Sequence, residues 1–485
     1  MNNTKLINIL RSFSKNEMKE FEKLLDSPFF NKGRSFIPYF MQIRKFYPEF
    51  NDEKMTPEFI YSKMYPGKKF NKQVIWNMNS GMLRMAEDFL VNVSLKKDEY
   101  RRIFQLGSEL SDRNLVNLYD KNLDAIDKTL AQARIDYNYF QYQTELETGR
   151  VNLCFMEDKQ HNIKRHTVRR GEFAILYFLG QLATVINDID TNNSMFNSGS
   201  ISNMPYVFLN NLKLEMVLEY AKTNKFKYAY IMEMYYYSIM AVIEPDNTHH
   251  FFKLYELYQN NSGKFASGQR KSWLTLLANY CVQKSDEGND SFRLPLFNIN
   301  KHQLKEIEAS PKKDLGKIFY MQVLIKALSL NEIDWSIKYI EKYTKFLKPS
   351  YQKAMKAISY AFLNFKLKQY NEVLVNLSKV QFIDVRDKYH AKSLSIRVYY
   401  ELDDFITLYY SIDSAKQFVS KNESIGKITK KRFNHFLDYL KRLTAIKEKN
   451  DSKLLGRLKQ EIELNTQIVN KLWLLEKTAE IENKN

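Results

Sequence analysis

Hydrophobic side chains recur at intervals of three or four residues along almost the whole chain. One such stretch contains Ile75, Met78, Met82, Met85 and Phe89, and this spacing places all five on one face of an α-helix. Polar breaks between such stretches are short, as expected for helices that pack as hairpins. The pattern therefore predicts an all-α protein.

The first part of the chain has clear helix start and stop signals. Ser14 and Glu17 have the spacing of a capping box, which predicts a helix that begins after Ser14. Thr56-Pro57 combines an N-cap residue with proline at the first helical position, and Pro66-Gly67 is a helix break. We expect a helical N-terminal unit over residues 1–95.

The rest of the chain is predicted to contain three further segments. Helical hairpins are expected over 96–189, with Gly171 preceding a strongly apolar helix. Turn-forming residues over 190–205 predict a flexible loop. Residues 206–485 are predicted to form a solenoid of helix pairs, closed by one C-terminal capping helix over about 453–478.

The repeat prediction depends on three aromatic residues. Trp335, Tyr370 and Phe405 are 35 residues apart, close to the period of roughly 34 residues in tetratricopeptide repeats. The segment from Tyr360 to Val373 resembles the centre of such a repeat, with Ala361 as the small residue between two helices. The fold class we predict is an α-α superhelix of tetratricopeptide-like hairpins.

Three segments of the chain also resemble a group of bacterial proteins of the Bacteroidetes lineage. They are Ser27-Pro28-Phe29-Phe30-Asn31, Tyr65-Pro66-Gly67-Lys68-Lys69-Phe70-Asn71, and the repeat region from Asp334-Trp335 onward. The resemblance implies a helical-repeat architecture and carries no activity.

Composition narrows the protein class. Hydrophobic residues make up 44% of the chain, whereas Gly (14) and Pro (10) are scarce, which argues against turn-rich β folds. Cys154 and Cys281 are expected to be small core residues in a cytoplasmic protein. The N-terminus lacks the apolar core of a signal peptide, and the apolar stretches are expected to be buried helices rather than membrane spans.

The net charge of +18 comes from 74 Lys and Arg residues against 56 Asp and Glu residues. A positive charge of this size suggests nucleic acid as a binding partner. Two basic clusters, Lys164 to Arg170 and Lys427 to Arg442, have enough cations to contact phosphates. A solvated basic face is the interpretation that we favour for both clusters, and Phe433 and Phe436 in the second have the spacing of a buried helical face.

The chain contains no recognisable catalytic, cofactor or metal motif. Pro66-Gly67-Lys68-Lys69 lacks the second glycine and the hydroxyl residue of a phosphate-binding loop, so a turn with solvated lysines is the simpler interpretation. His161 and His166 point to different sides of a helix, as do His249-His250. We therefore expect no enzyme activity, no metal and no cofactor.

The sequence favours a protein- or peptide-binding scaffold or adaptor that uses the inner surface of the solenoid. The predicted groove residues are Phe362, Phe365, Lys366, Arg397 and Tyr400, each of which could instead pack between repeats. The alternative function is a nucleic-acid-associated regulator that binds through the basic clusters. The oligomeric state and the identity of the partner are left open.

Overall fold

The computed structural model confirms that the protein is all-α. It describes residues 3–31, 33–196, 203–286, 289–312, 314–382, 384–449, 452–465 and 467–483. Within these ranges the only β-type pairing is a single bridge between Ile135 and Phe265.

The chain divides into two compact units. Residues 1–133 and 139–174 form the first unit, and residues 134–138 and 175–485 form the second. The predicted segment 1–95 thus lies wholly in the first unit, and 206–485 lies wholly in the second.

The helices of the first unit are α1 (Lys5–Ser12), α2 (Lys15–Asp26), α3 (Ile37–Arg44), α4 (Pro57–Met64), α5 (Lys72–Lys97), α6 (Glu99–Asp112), α7 (Val116–Gln132), α8 (Tyr139–Met156) and the start of α9 (Gln160–Phe196). The second unit contains the rest of α9, then α10 (Met204–Asn211), α11 (Leu214–Thr223), α12 (Ala229–Ile243), α13 (His249–Asn261), α14 (Ser267–Asp286), α15 (Arg293–Glu308), α16 (Lys317–Ser329), α17 (Ile333–Tyr343), α18 (Pro349–Lys366), α19 (Tyr370–Ser378), α20 (Val385–Glu401), α21 (Phe405–Lys421), α22 (Lys427–Lys449), α23 (Ser452–Leu464) and α24 (Lys471–Glu482).

Helices α1 to α5 enclose an aromatic core. The rings of Phe13, Phe21 and Phe89 contact one another at centroid distances of 5.1 to 5.6 Å, and Phe40 packs edge-on against Phe21. The capping box at Ser14 is confirmed, because its hydroxyl and the Glu17 carboxylate each accept a hydrogen bond from the other residue's backbone N–H. The predicted start of α4 at Pro57 is confirmed as well.

The same type of turn connects the two helices of six hairpins, which are found in both units. In each turn one residue has a left-handed φ between 51° and 62°. These residues are Asn114, Asp158, Lys225, Asn331, Lys368 and Asp403. The following N–H donates to the carbonyl five residues earlier, at 2.9 to 3.0 Å, which is the Schellman closure of a helix C-terminus. Asn, Asp and Lys replace the glycine that usually marks this turn, so the turn gave no glycine signal in the sequence.

The three aromatic residues used to predict the repeat all lie near the start of a helix. Trp335 is the third residue of α17, while Tyr370 and Phe405 open α19 and α21. Ala361 is fully buried in a cluster with residues of α19 and α20, as expected for a small residue where helices approach closely.

Two sequence predictions about helix limits are wrong. Helix α9 runs without a break from Gln160 to Phe196, so Gly171 does not start a new helix and the predicted loop over 190–205 is helical in its first seven residues. Residues 197–202 of that loop lie outside the described residues. The single C-terminal helix predicted over about 453–478 is two helices: α23 ends at Leu464, and Asn470, with a left-handed φ of 54°, precedes α24.

Candidate binding site

Half-buried side chains of the two long helices α18 and α20 meet at one surface of the second unit. The ring of Phe362 lies 6.3 Å from the imidazole of His390, measured between centroids. The guanidinium of Arg397 lies over the ring of Phe365, 4.7 Å from its centroid. Arg386 is one helical turn before His390 and therefore belongs to the same side of α20. We call these five residues the α18/α20 face.

Small and branched residues bring the two helices together beneath this face. Ala361 of α18 packs in one buried cluster with Ala391, Leu394 and Val398 of α20 and with Val373 of α19. Because Ala361 and Ala391 have only a methyl group, the helices approach closely. The larger side chains that flank them, Phe362 and Phe365, remain half-buried at the surface.

Arg397 forms no ion pair with the described residues, although the nearby charge of Glu401 partly offsets the effect of burial on its pKa. Burial lowers the pKa of its guanidinium to about 10, and its Nε donates to the Ser393 carbonyl at 3.3 Å. The acidic residue one turn further on, Glu401, accepts instead from Trp473 Nε1 at 2.8 Å and pairs with Lys477 at 3.0 Å. Within the described ranges no carboxylate forms an ion pair with Arg397.

His390 lies in positively charged surroundings. Burial, together with the nearby charges of Arg386, Arg397 and Lys317, lowers the pKa of its imidazole to about 4. The imidazole is therefore neutral at pH 7, and the positive charge of the face resides on its arginines.

The start of α20 is held by an ion-pair cluster with α16. Asp384 Oδ1 accepts from the backbone N–H groups of Arg386 and Asp387, at 3.0 Å each, and so caps the helix. Lys317 Nζ pairs with Asp387 Oδ1 at 2.7 Å and with Asp384. Burial raises the pKa of Asp387, and Lys317 compensates part of that cost. The cluster orients α20, and with it the arginines of the face.

The structure brings together three of the five predicted groove residues. Phe362, Phe365 and Arg397 all belong to the α18/α20 face. Lys366 is exposed at the end of α18 and has no described contact with them. Tyr400 is only 2% exposed and packs edge-on against Trp473 at 5.3 Å, so it belongs to the core between α20, α22 and α24 and not to a surface.

Sequence reasoning missed His390 and Arg386. Both lie on the same stripe of α20 as Arg397, seven and eleven residues before it, and this spacing returns to nearly the same side of a helix. The spacing of the three residues is visible in the sequence. Only the contact with the rings of α18, however, distinguishes this side of α20 from the other polar positions of the helix.

The first basic cluster is built around a buried acid. Glu147 of α8 is 3% exposed, and its carboxylate binds His166 Nδ1 at 2.7 Å and Arg169 Nε at 3.0 Å. Arg169 also lies over the ring of Phe173, 5.9 Å from its centroid. The side chains of His166 and Arg169 are thus bound inside the first unit.

The second basic cluster is also partly neutralised. Arg442 forms two hydrogen bonds with Glu461, at 2.5 and 3.0 Å, and Lys430 donates to the Ser420 carbonyl. Phe433 and Phe436 are fully buried, which confirms that they form a core-facing helix side.

The remaining candidate chemistry in the described residues concerns metal ions and cysteine thiols. No group of three or more His, Cys, Asp or Glu there has the arrangement of a metal site. Cys154 and Cys281 are both buried, as predicted, and burial raises the pKa of the Cys281 thiol to about 12. The thiol is therefore protonated and unreactive at neutral pH.

One helix of the described chain is long and apolar enough to cross a membrane, when judged by length and composition alone. It covers Gln160–Asn192 of α9, and its most apolar 18-residue window has a mean hydropathy of 1.2 and is about one third buried. Phe173, Leu176, Leu179, Leu182 and Ile186 along it are buried. A core helix of a soluble protein has the same properties, so the composition of α9 is weak evidence for a membrane span.

Comparison of the chain with known proteins gives no family or function for the α18/α20 face. No protein-family model, no curated protein and no solved structure matches the chain.

Proposed function

We propose that residues 317–449 form tetratricopeptide-like hairpins stacked as an α-α superhelix, and that the chain is a non-enzymatic, cytoplasmic scaffold or adaptor. The recurrence of one turn at Asn331, Lys368 and Asp403, at spacings of 37 and 35 residues, supports the repeat. The likeness to the Bacteroidetes helical-repeat group is part of the same proposal.

The ligand we propose is a protein or peptide segment, bound at the α18/α20 face. The observation that carries this proposal is the guanidinium of Arg397, which is half-buried and lies on the ring of Phe365 without a carboxylate ion-pair partner among the described residues. A desolvated, unpaired charge costs stability, and a bound anionic group would recover part of that cost.

The chemistry of the face indicates the type of segment. Arg397 and Arg386 would bind a carboxylate, which matches the planar donor geometry of a guanidinium. Phe362 and Phe365 offer half-exposed rings for an adjacent apolar side chain. We therefore infer a peptide in which Asp, Glu or a C-terminal carboxylate lies next to a hydrophobic residue.

The two predicted basic clusters do not favour nucleic acid as a second function. Glu147 and Glu461 bind cations in the first and second cluster respectively, so fewer charges remain for phosphates than the sequence suggests.

The proposal can be tested with an array of random 12-residue peptides in two matched sets, of which one has Asn and Gln in place of Asp and Glu. We expect the full chain to select the acidic set. Arg397→Met should weaken binding of a selected peptide about tenfold or more, because a charge-assisted hydrogen bond contributes about 1.5–3 kcal/mol. Fluorescence polarisation of the labelled peptide measures this change.

Arg457→Met is the matched control. Arg457 lies on α23 and is 80% exposed, so the variant removes the same charge away from the face and should leave affinity unchanged. Equal binding of both peptide sets, or equal affinity of the Arg397→Met and Arg457→Met variants, would show that this face is not the binding site.

A further inference from the structure

A second surface with unpaired charge lies in the first unit, where α4 ends and α5 begins. Residues 59–86 contain five basic side chains and no acidic one. Among the described residues, none of the four lysines in this range forms an ion pair. Lys63 and Lys68 lie instead over the rings of Phe59 and Tyr65, at 5.4 and 5.6 Å from the ring centroids.

A tight turn directs the chain across this surface. The Lys68 N–H donates to the Tyr65 carbonyl at 3.2 Å, and Gly67 between them has φ 78°. Proline followed by glycine with positive φ is a type II turn. The side chain of Asn71 then caps α5 by accepting from the backbone N–H groups of the second and third helical residues.

Two aromatic rings are exposed beside these lysines. Trp76 is 62% exposed and Phe70 is 36% exposed, and Phe70 is oriented by an edge-on contact with Tyr61 at 5.5 Å. Both rings line an open depression of about 780 Å³, together with Lys69 and Lys72. We call Lys69, Phe70, Lys72 and Trp76 the Trp76 surface.

The chemistry of the surface narrows the choice of partner, since the depression itself is shallow and open to solvent. Exposed rings combined with unpaired lysines are what proteins use to stack unpaired bases and contact the adjoining phosphates. In a duplex the base faces are already stacked on one another and are not available to a side-chain ring.

We propose that the Trp76 surface binds single-stranded nucleic acid, with a base stacked on Trp76 and phosphates contacted by Lys69 and Lys72. This site is independent of the α18/α20 face. The sequence raises phosphate binding only at the adjoining turn Pro66-Gly67-Lys68-Lys69, which lacks the motif of a phosphate-binding loop, and a lone Trp on an otherwise regular helix gives no motif.

Tryptophan fluorescence gives a direct readout on the full chain. Of the four tryptophans, Trp273 and Trp473 are buried and Trp335 is partly buried, so quenching by a ligand in solution reports mainly on Trp76. We expect oligo(dT) and oligo(U) to quench this fluorescence. A duplex of equal length, poly-glutamate and vesicles with phosphatidylserine should quench it much less.

Variants separate stacking from charge. In anisotropy titrations of labelled oligonucleotide, Trp76→Leu should weaken binding between about fivefold and about 150-fold, the range that corresponds to about 1–3 kcal/mol per stacked base. Lys69→Glu/Lys72→Glu should make the dependence of log K on log salt shallower by about 1.4, because each phosphate contact on a single strand contributes about 0.7. Circular dichroism checks that the exposed substitutions leave the fold intact.

Lys96→Glu is the matched control, since Lys96 is exposed near the other end of the same helix. Its affinity should stay within about twofold of the wild type. Three results would each overturn the proposal: equal binding of poly-glutamate and oligo(dT), stronger quenching by the vesicles than by oligonucleotide, or an unchanged oligonucleotide affinity in Trp76→Leu.

Discussion

Each unit contains a histidine and an arginine on one helix, but their surroundings differ. His166 and Arg169 of α9 both bind the carboxylate of Glu147, which is almost completely buried. His390 and Arg397 of α20 face the rings of Phe362 and Phe365 instead. The first pair is neutralised within its unit, whereas the second keeps a net positive charge.

This comparison separates a structural site from a candidate binding site. A buried carboxylate with two partners is stable only while both partners stay in place, so the Glu147 site holds α8 and α9 together. A guanidinium on an aromatic ring keeps its hydrogen-bonding capacity for a further group. The residue types alone do not distinguish these two cases, because the deciding residue lies on another helix.

The largest expected effect comes from removal of the buried acid. Glu147→Ala deletes two charge-assisted hydrogen bonds of about 1.5–3 kcal/mol each. Water can resolvate the partly exposed His166 and Arg169, so we expect the free energy of unfolding to fall by about 3 kcal/mol. The urea midpoint and the amide exchange of α8 measure this loss.

Glu109→Ala is the control for that substitution. Glu109 pairs with Arg113 on the exposed side of α6, and exposed pairs contribute less than about 1 kcal/mol. If both variants had the same midpoint, Glu147 would not stabilise the first unit and the contrast between the two sites would be lost.

A smaller effect is expected from the pH dependence of His390. Its pKa of about 4 in the folded protein lies below the ordinary value of 6.5. Between these values the unfolded chain binds a proton that the folded protein does not bind, so stability decreases as the pH falls from 6.5 to 4. At about 1.4 kcal/mol per pKa unit, and with allowance for partial exposure, we expect a loss of about 2 kcal/mol.

The pH effect is tested by urea denaturation at several pH values. His390→Gln removes the titrating group and should flatten this part of the profile, whereas His161→Gln, on an exposed position of α9, should leave the slope as in the wild type. A slope unchanged in His390→Gln would mean that His390 is not held neutral by the α18/α20 face.

The smallest effect concerns the contact between Phe365 and Arg397. A double-mutant cycle with Phe365→Leu and Arg397→Met isolates the cation–π interaction, for which we expect a coupling free energy of about 0.5–2 kcal/mol. Thermal or urea unfolding of the four proteins gives this value. A coupling free energy near zero would indicate that the ring does not stabilise the charge.

Local signals in the sequence predicted much of the fold. The capping box at Ser14 and the proline start of α4 involve residues that are close together in the chain, so local geometry determines both. The limits of α9 and of the last two helices were predicted wrongly. Gly171 lies at an exposed position of α9 with open space beside its Cα, and a glycine inside a helix costs about 1 kcal/mol without ending it. The left-handed Asn470 that precedes α24 carries no glycine or proline signal.

The sequence by itself determined the helical class, the start of several helices and the residues available for charge and stacking, because these depend on spacing of a few residues. Tertiary structure decided which of those residues are exposed to a ligand and which are buried or paired with other side chains. Glu147 lies about twenty residues from the cations that it binds, Tyr400 is covered by Trp473, and Arg397 meets Phe365 from a neighbouring helix. Whether a charge is neutralised or accessible depends on such contacts between helices, which helical periodicity does not encode.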